Sequence, residues 1–474
     1  MKKLGVLGLF ILVWFQSLGQ VNNNVFVVPP YLQIGANPSS STLNLLWQTS
    51  DSINSNFSIE YESASGWEKF KISSFNLIDV KPIGRRRLYQ ATLNNLLAGK
   101  KFVYKVFNQG QLVFHSEGKA LPVKGQSFRF VALGDIASGL QAASSISQKV
   151  YEENSNLVII TGDIVYDRGL LHEYDTRFWP VYNGEKGATI MRNTPVVAAP
   201  GNHDLEERNF SRSPDALSYF QVWDQPLNGP AMEEGGASYP LIIASDSARA
   251  QFYSIAGPRF PRMSNFSFNA GDVHWLFLDM DNYVDWTNDS LQRWVRDDLQ
   301  QASQSWKFVF FHHPGFNSSI DHFAQQQSRL LAPLFEQNGV SLVFTGHVHN
   351  YQRTFPMHFK PDGNGFLLNS ATTVASRGRL VNGAWKLDKK YDGVIQTKPN
   401  GVIYIITGAG GNDLYNPEQE LDRDSWQPFT AKYFAQDHSY TLVDVDQKTI
   451  IVRQKNSKGI VVDEFKISKG YSIK

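Results

Sequence analysis

The chain of 474 residues is 42% hydrophobic and 13% aromatic, which is enough apolar surface for two packed domains and excludes a largely disordered chain. Its formal net charge of +1 does not favour a nucleic-acid partner or attachment to a membrane by charge. The absence of cysteine excludes disulfides and thiolate zinc sites, so any metal ligands must come from His, Asp, Asn, Glu or Tyr.

The N-terminus has the pattern of a secretory signal peptide. A short basic start, Lys2-Lys3, precedes the apolar run Leu4–Phe15, and small residues follow it. We expect residues 1–19 to be removed before Gln20, and the mature protein to be exported, either secreted or periplasmic, without membrane insertion. A membrane anchor is the weaker interpretation because the run is short for a bilayer span, and a lipid anchor is excluded because the cut has no cysteine.

Residues 20–122 are predicted to form a small all-β domain. Apolar and polar residues alternate in Thr42–Trp47, Phe57–Tyr61 and Lys101–Val106, and turn-forming residues separate these stretches. Strands at this spacing predict a β-sandwich of fibronectin or immunoglobulin type, and we expect the fibronectin III-like form. The basic run Arg85–Arg87 is interpreted as a solvated strand face or turn. Because the domain has no titratable cluster, we expect it to have a structural or positional role.

Residues 123–474 are predicted to form an α/β layered domain with a β-rich end, because strands and helices alternate after a linker at Leu121–Gln126. The predicted strands are Phe128–Leu133, Leu157–Ile160, Pro195–Ala199, His274–Leu278, Phe308–Phe311, Leu342–Phe344, Val402–Thr407, Tyr440–Val445, Thr449–Gln454 and Val461–Ile467. The predicted helices are Ala142–Glu153, Ser290–Ala302 and a third from about His322 to Gln337.

Two segments of this domain are rich in glycine. The long irregular insertion Leu205–Met263 follows a candidate site and is either a cover on the substrate side or a surface excursion, and the sequence favours neither. The run Gly408–Gly411 lacks the Gly-Lys-Ser/Thr ending of a phosphate-binding loop, so we expect a tight turn.

Five predicted strands of the α/β domain end in residues that can bind a metal ion. These residues are Asp135, Asp163, Asn202, His312 and His347, the last followed by His349. Each alone is more often structural, but their recurrence at the same end of successive strands favours one shared site. Such ligands suit two hard or borderline ions about 3.5–4 Å apart, which a single carboxylate can bridge.

The spacing within the histidine pairs gives two further expectations. His347 and His349 are two residues apart, so in an extended chain they share a face and can serve adjacent ions. His312 and His313 are neighbours, so we expect their rings to point in opposite directions and only one of them to reach the ions.

The motifs around these residues resemble those of a known family. They are Gly134-Asp135, Gly162-Asp163-x-x-Tyr166, Gly201-Asn202-His203-Asp204, Val309-x-x-His312 and Gly346-His347-x-His349. In this order they are similar to the five motifs of the calcineurin-like metallophosphoesterases, and the tyrosine of the second motif resembles the purple acid phosphatases. The resemblance covers nearly the whole mature chain, because members of that family can carry an N-terminal fibronectin-like domain. It implies a metallophosphoesterase domain of β-sheets flanked by helices.

The resemblance also implies the ligands of two metal ions. A ferric ion would be held by Asp135, Asp163, Tyr166 and His349. A divalent ion, Zn, Fe or Mn, would be held by Asp163, Asn202, His312 and His347, with Asp163 as the bridge. Two carboxylates and a phenolate supply three negative charges, which suits a trivalent ion.

Two further histidines are implied to act in catalysis. His203 matches the family's histidine just outside the ligand set, and His322 resembles the histidine that contacts phosphate or protonates the leaving group. Asp321 stands where plant members have another histidine, so the details of leaving-group protonation are not carried over.

The function implied is that of an exported acid phosphatase that hydrolyses small phosphate monoesters by in-line attack of a metal-bound hydroxide. The ions and His203 would stabilise the developing charge, and His322 would assist the leaving alkoxide. The alternative is a phosphodiesterase or nucleotide hydrolase with the same binuclear core. A binding protein with a dead site is disfavoured because none of the seven ligands is missing. The natural substrate, the divalent metal and the oligomeric state stay open.

Overall fold

The computed structural model describes residues 25–184, 186–368 and 378–469. The predicted signal peptide, residues 1–19, lies outside the described residues, as do the first residues of the predicted all-β domain. Within the described ranges, no helix combines the length and the apolar character that crossing a bilayer requires.

The N-terminal part is all-β, as predicted. Its strands are β1 (Val28–Gln33), β2 (Leu43–Ser50), β3 (Phe57–Ser63), β4 (Gly66–Lys71), β5 (Asn76–Val80), β6 (Gly84–Leu93), β7 (Lys101–Asn108) and β8 (Gln111–Lys119). They form two four-stranded antiparallel sheets, ordered β1-β2-β6-β5 and β4-β3-β7-β8. The ring of Phe57 in the second sheet packs against Trp47 at 5.4 Å and Tyr89 at 5.0 Å in the first. The two sheets therefore share one aromatic core.

The prediction that Arg85–Arg87 is a solvated face is wrong for its central residue. Arg86 is buried, and its guanidinium donates to both carboxylate oxygens of Asp175, at 3.0 and 2.8 Å. Alternation along β6 turns this residue away from its neighbours and toward the α/β part of the molecule, where it finds an acidic partner.

The α/β part contains the remaining strands and the helices. Its strands are β9 (Phe128–Leu133), β10 (Leu157–Thr161), β11 (Val196–Ala199), β12 (Phe266–Ala270), β13 (Val273–Phe277), β14 (Trp306–Phe310), β15 (Leu342–Thr345), β16 (Tyr351–Thr354), β17 (Met357–Pro361), β18 (Phe366–Leu368), β19 (Gly378–Leu380), β20 (Gly383–Leu387), β21 (Ile403–Thr407), β22 (Thr430–Phe434), β23 (Ser439–Val445), β24 (Thr449–Asn456) and β25 (Val461–Ser468). Its helices are α1 (Gln141–Glu152), α2 (Leu171–Glu173), α3 (Trp179–Tyr182), α4 (Ile190–Asn193), α5 (Asn202–Leu205), α6 (Tyr219–Val222), α7 (Asp246–Ala256), α8 (Asp289–Gln301) and α9 (Ala332–Gln337).

Two large sheets form the layers of this part, ordered β11-β10-β9-β23-β24-β25 and β12-β13-β14-β15-β21-β16-β22. They pack face to face through aromatic side chains. Phe130 of β9 in the first sheet lies 5.7 Å from Phe308 and 5.8 Å from Phe344 of the second, measured between ring centroids. Strands β9 to β11 are parallel in the first sheet, and β13, β14, β15 and β21 are parallel in the second. The predicted α/β layers are confirmed.

The predicted strands and the first two helices occur within one or two residues of their expected bounds, but the third helix begins later than predicted. A 3₁₀ turn at Gln327–Leu331 leads into α9, and His322 lies outside the helix. The backbone of His322 has φ +61°, which a right-handed helix cannot include.

The insertion Leu205–Met263 is packed rather than irregular throughout. It contains α6 and α7 and contributes buried aromatic residues such as Phe252. It also contacts the N-terminal sheets, because Tyr31 Oη donates to the carbonyl of Val222 at 2.7 Å and Asn44 donates to Asp224 at 2.6 Å. The insertion therefore joins the two parts of the molecule.

Candidate metal centre

The centre lies where parallel strands of both sheets end. Asp135 follows β9, Asp163 follows β10, and both take left-handed backbone conformations, with φ of +61° and +50°. Gly162 and Gly201 let these loops approach closely. A Cβ on Gly162 would lie 2.5 Å from His312 Nδ1, and one on Gly201 would lie 2.3 Å from the amide nitrogen of Asp163.

Three oxygen donors meet at the middle of the centre. Tyr166 Oη lies 3.0 Å from Asp135 Oδ1 and 3.1 Å from Asp163 Oδ2, and all three side chains are buried. A phenol has one proton, so it can donate to only one of these carboxylates at a time. Burial raises the pKa of Tyr166 well above its usual value, and the carboxylates of Asp135 and Asp163 raise it further. A cation is therefore required for a phenolate here.

Two imidazoles present lone pairs to each other. His312 Nδ1 donates to the carbonyl of Thr161 at 2.9 Å, which leaves the lone pair on Nε2. His347 Nε2 donates to Gln325 Oε1, which leaves the lone pair on Nδ1, only 3.2 Å from His312 Nε2. Two lone pairs at this distance repel each other unless a cation lies beside them.

The pKa of His312 also indicates that this position favours a positive charge. His312 Nε2 lies 3.1 Å from Asp163 Oδ2. Although burial lowers the pKa of His312, the carboxylates of Asp163 and Asp135 raise it to about 10. These carboxylates thus favour a positive charge at this position, and a metal ion would supply it in place of the proton.

His349 and Asn202 complete the set of predicted ligands. His349 Nδ1 donates to the carbonyl of Asp413 at 2.6 Å, and its Nε2 lies 3.2 Å from Tyr166 Oη and 3.3 Å from Asp135 Oδ1. Asn202 begins α5, and its side-chain oxygen is buried without a hydrogen-bond partner among the described residues. A buried amide oxygen without a partner is available as a metal ligand.

The donor set therefore fits a binuclear centre. Asp163, His312 and His347 each offer one ligand atom, and these atoms all lie within 4.8 Å of one another. Asp135, Tyr166 and His349 form a second group of donors. Tyr166 Oη lies 3.0 Å from Asp135 Oδ1, 3.2 Å from His349 Nε2 and 3.1 Å from Asp163 Oδ2, the oxygen that also lies 3.1 Å from His312 Nε2. The structure brings together all seven predicted ligands.

The two predicted catalytic histidines line the same cavity, which has a volume of about 340 Å³. The backbone N–H of His203 donates to Asp163 Oδ1 at 3.0 Å, and its ring packs at a tilt of 49° against Tyr166, with the centroids 4.4 Å apart. The ring of His322 lies 3.9 Å from that of His347, and its buried Nδ1 has no hydrogen-bond partner among the described residues. Burial, together with the nearby His349, lowers the pKa of His322 to about 4, whereas a bound anionic phosphate would raise it.

The expectation that His312 and His313 point in opposite directions is wrong. Their rings are only 5.2 Å apart, and the ring of His313 lies 4.1 Å from that of His347 and lines the cavity. Both residues lie beyond the end of β14, where the alternation of a strand no longer applies. Neither ring nitrogen of His313 has a hydrogen-bond partner within the described part of the chain, and Asp281 Oδ1 lies 3.5 Å from its Nδ1.

Several cavity residues were missed by the sequence analysis. They are Glu206, Asn282, His313, Gln325 and Tyr415. Tyr415 stacks on His349 at 3.9 Å, and it follows β21, a parallel strand that ends at the same edge. Its position after a parallel strand could have identified Tyr415 from the sequence. Nothing in the sequence identified Gln325, because it lies in a turn after His322, whose left-handed conformation was not predicted.

The glycine run after β21 packs against the centre instead of forming an isolated turn. A Cβ on Gly408 would lie 2.8 Å from Asp135 Oδ2, and the amide of Gly410 donates to the carbonyl of Gly134 at 3.1 Å. The amide of Asn412 donates to the carbonyl of Asp135 at 3.1 Å. The run therefore holds the loop after β9 in place.

Comparison with known proteins gives two family matches along the chain. Residues 128–351 match the calcineurin-like phosphoesterase family, and residues 401–464 match the family described as iron/zinc purple acid phosphatase-like protein C. These ranges include all seven predicted ligands in the first match and the glycine run in the second.

Individual relatives agree with these matches. Purple acid phosphatase 18 of Arabidopsis thaliana is 23% identical over 66% of this chain, and the chain spans 63% of that protein's length. A nucleotide pyrophosphatase/phosphodiesterase of Hordeum vulgare is 25% identical over 74% of this chain and 87% of its own length.

A solved structure supports the fold. The purple acid phosphatase from yellow lupin (Lupinus luteus) seeds superposes with a TM-score of 0.61 at 17% identity, covering 93% of this chain and 74% of that one. With the convergent ligand set and the two family matches, this likeness leads to one conclusion. The chain belongs to the purple acid phosphatase family of the calcineurin-like metallophosphoesterases.

Proposed function

We propose that this protein is a metal-dependent phosphatase that hydrolyses small phosphate monoesters. The observation that carries the proposal is the convergence of Asp135, Asp163 and Tyr166, with the oxygen donors of the carboxylates within 3.1 Å of Tyr166 Oη. When bound at this centre, two metal ions would acidify water and neutralise the negative charge of a phosphate ester.

The side chains outside the ligand set would act on the substrate. His203 Nδ1 donates to the carbonyl of Asp167 at 2.5 Å. Although burial lowers the pKa of His203, the carboxylate of Asp163 raises it above its usual value, and in the protonated ring the Nε2–H can donate to a phosphate oxygen. His322 has an unpartnered Nδ1 on the cavity wall, and its place there suits contact with the leaving oxygen. The net charge of +1 favours a small ester over a nucleic acid.

The proposed metals are Fe(III) and a divalent ion, Zn, Fe or Mn. A phenolate is a hard donor, and Tyr166 becomes one only beside a strong positive charge. Metal analysis and a visible spectrum of the purified protein test the assignment. We expect an iron-dependent charge-transfer band that is lost in Tyr166→Phe. A colourless, iron-free and fully active enzyme would contradict the iron assignment and leave the hydrolase proposal intact.

A second candidate is a phosphodiesterase or nucleotide hydrolase with the same centre. The barley relative named as a nucleotide pyrophosphatase/phosphodiesterase supports it. Turnover of 4-nitrophenyl phosphate and of bis(4-nitrophenyl) phosphate separates the two candidates, since both release the same phenol. A higher kcat/KM for the diester would reverse the order of the candidates, and no turnover of either ester by metal-loaded protein would refute both.

Export and the type of the N-terminal sheets are also proposals. The pattern of residues 1–19 supports a cleaved signal, and N-terminal sequencing of protein collected outside the cytoplasm should begin at Gln20. The two four-stranded antiparallel sheets support a fibronectin III-like sandwich from about residue 20 to residue 122, followed by a catalytic domain to residue 474. Limited proteolysis within Leu121–Gln126 would separate the two units if this boundary holds.

A further inference from the structure

A second cavity, of about 510 Å³, adjoins the metal centre. It is built largely by the insertion, from Glu207–Asn209 and from residues between Gly235 and Ile243. Glu206 lines both cavities. Asn282 lines the cavity of the metal centre and its neighbour Tyr283 lines the second one, so the two spaces meet along a shared wall.

Two tyrosine rings form the aromatic wall of this second cavity. The hydroxyl of Tyr283 donates to Asp279 Oδ2, and the hydroxyl of Tyr239 lies 2.9 Å from that of Tyr253. The ring of Tyr239 also packs edge-on against Phe260 at 5.3 Å. Because their hydroxyl ends are tied down, the rings are held in fixed positions where a planar group can pack at low entropic cost.

Two aliphatic side chains line the same space without being covered. Leu241 is 54% exposed and Ile243 is 63% exposed. Backbone hydrogen bonds hold this strip in place, since Ile243 donates to the carbonyl of Arg208 and accepts from the amide of Phe210, both at 2.9 Å. These two exposed apolar side chains lie beside the aromatic wall of the same cavity, so together they offer apolar surface to a ligand.

Arg208 adds a positive charge to this wall. Its guanidinium lies 4.9 Å from the ring centroid of Tyr283. Within the described ranges no ion pair or side-chain hydrogen bond of this guanidinium is seen, so its N–H groups are available to acceptor oxygens of a ligand.

We propose that this second cavity is the leaving-group subsite of the enzyme and selects phosphate esters whose alcohol carries a planar ring, such as aryl or nucleoside esters. The inference rests on the proposed hydrolase function and specifies its substrate class. An ester whose phosphate lies at the metal centre would extend its ring past Glu206 onto Tyr239 and Tyr283. The volume lies within the range of small-molecule sites, and Arg208 would contact the ring or its acceptor oxygens.

The test compares three esters in wild type and in the variants Ile243→Ser and Arg208→Gln. The esters are 4-nitrophenyl phosphate, adenosine 5′-monophosphate and glycerol phosphate. Each variant is compared with wild type on the same ester, so differences in leaving-group reactivity cancel. We expect KM for the two ring-bearing esters to rise about fivefold relative to KM for glycerol phosphate. The control is Ile395→Ser, which changes an isoleucine that is 81% exposed outside this cavity and should alter none of the ratios.

The outcomes separate the subsite from the hydrolase proposal. If all three esters are hydrolysed and the variants change KM equally for all of them, the subsite is refuted and the hydrolase proposal stands. An effect on only one ring-bearing ester would identify which alcohol, aryl or nucleoside, the subsite takes. If metal-loaded protein hydrolyses no ester, the hydrolase proposal fails. The affinities of phenylphosphonate and methylphosphonate, measured by calorimetry, then decide whether the cavity binds a ring. Binding of phenylphosphonate about fivefold tighter in wild type, but not in Ile243→Ser, would keep the cavity as a ring-binding site.

Discussion

Polar side chains are buried both at the boundary between the N-terminal sheets and the α/β part and at the metal centre. They have protein partners at the boundary, whereas at the centre some of their ligand atoms lack them. At the boundary, the guanidinium of Arg86 forms two hydrogen bonds to Asp175, and Asn44 donates to Asp224 at 2.6 Å. At the metal centre, His312 Nε2 and His347 Nδ1 lie 3.2 Å apart beside the carboxylate of Asp163, an arrangement that needs a proton or a metal ion. These boundary groups are paired within the protein, whereas the ring nitrogens of the centre require a cation.

This difference predicts how substitutions in the two regions affect stability and catalysis. Groups that already have protein partners stabilise the fold, so changing them should affect unfolding and spare catalysis. Groups that lack partners were retained at a cost in stability, so changing them should affect metal binding and catalysis more than folding. The following experiments test this division, beginning with the largest expected effect.

Removing the metal ions should abolish activity and lower the stability of the centre. Dialysis against a strong chelator is expected to reduce turnover to background. It should also lower the thermal midpoint, because a ligand held at 1,000 times its Kd contributes about 4 kcal/mol to the native state. Metal analysis, turnover and calorimetry on the same samples measure this. Full activity in metal-free protein would show that the centre needs no metal ion and would contradict the distinction between the two regions.

Asp163→Asn should be the most damaging single substitution. Asp163 Oδ2 lies 3.1 Å from both Tyr166 Oη and His312 Nε2, so the predicted bridge between the two ions depends on this carboxylate. We expect kcat to fall on the order of 10³-fold, with a loss of bound metal. Asp297→Asn, on the exposed face of α8, is the control and should leave both quantities unchanged. Normal metal content with normal kcat in Asp163→Asn would contradict the bridging assignment.

His322→Ala should lower kcat by about 100-fold while metal content stays the same, because His322 faces the cavity and is not among the predicted ligands. His115→Ala, an exposed histidine of β8, is the matched control. Equal losses of metal and activity in His322→Ala would instead place this residue in the ligand set.

Arg86→Met should lower the stability of the fold and leave catalysis nearly unchanged. The substitution leaves the Asp175 carboxylate without its partner, so we expect the free energy of unfolding to fall by about 2 kcal/mol. The value of kcat/KM should stay within about twofold, since the damage is confined to packing away from the cavity. Arg85→Met, its exposed neighbour on β6, should change the free energy of unfolding by less than about 0.5 kcal/mol. A large loss of kcat in Arg86→Met would show that the two regions are coupled.

The smallest expected effect is a pH dependence of the free energy of unfolding that comes from Lys119. Its Nζ donates to the carbonyl of Ser155 at 2.7 Å, and burial lowers the pKa of Lys119 to about 8. Between this value and its unfolded pKa of about 10.4 the unfolded state binds more protons, so stability should increase with pH. From pH 8 to pH 9.5 the wild type should gain about 1.5 kcal/mol relative to Lys119→Met. Lys100→Met, at an exposed position, should follow the wild-type pH profile.

The sequence predicted most of the strands, and the structure brings together the seven positions that it predicted as ligands. It could do so because a glycine or turn ends each parallel strand, and the next polar side chain is then carried to a common edge. The apolar run Leu157–Ile160 and the strand pattern of Phe128–Leu133 are local information, and so is the position of Asp163 or Asp135 just after a strand. Family membership follows from the same motifs, confirmed by the two family matches.

Only the tertiary structure decided which other side chains join these ligands and which charges find partners. The rotation of His313 into the cavity depends on a loop beyond β14, and the burial of Arg86 depends on an acidic residue 89 positions away in the chain. The second cavity likewise forms because the insertion packs against Tyr283, a contact that no local pattern encodes. Local spacing determines which end of a strand a residue occupies, whereas packing between distant segments determines what that residue contacts.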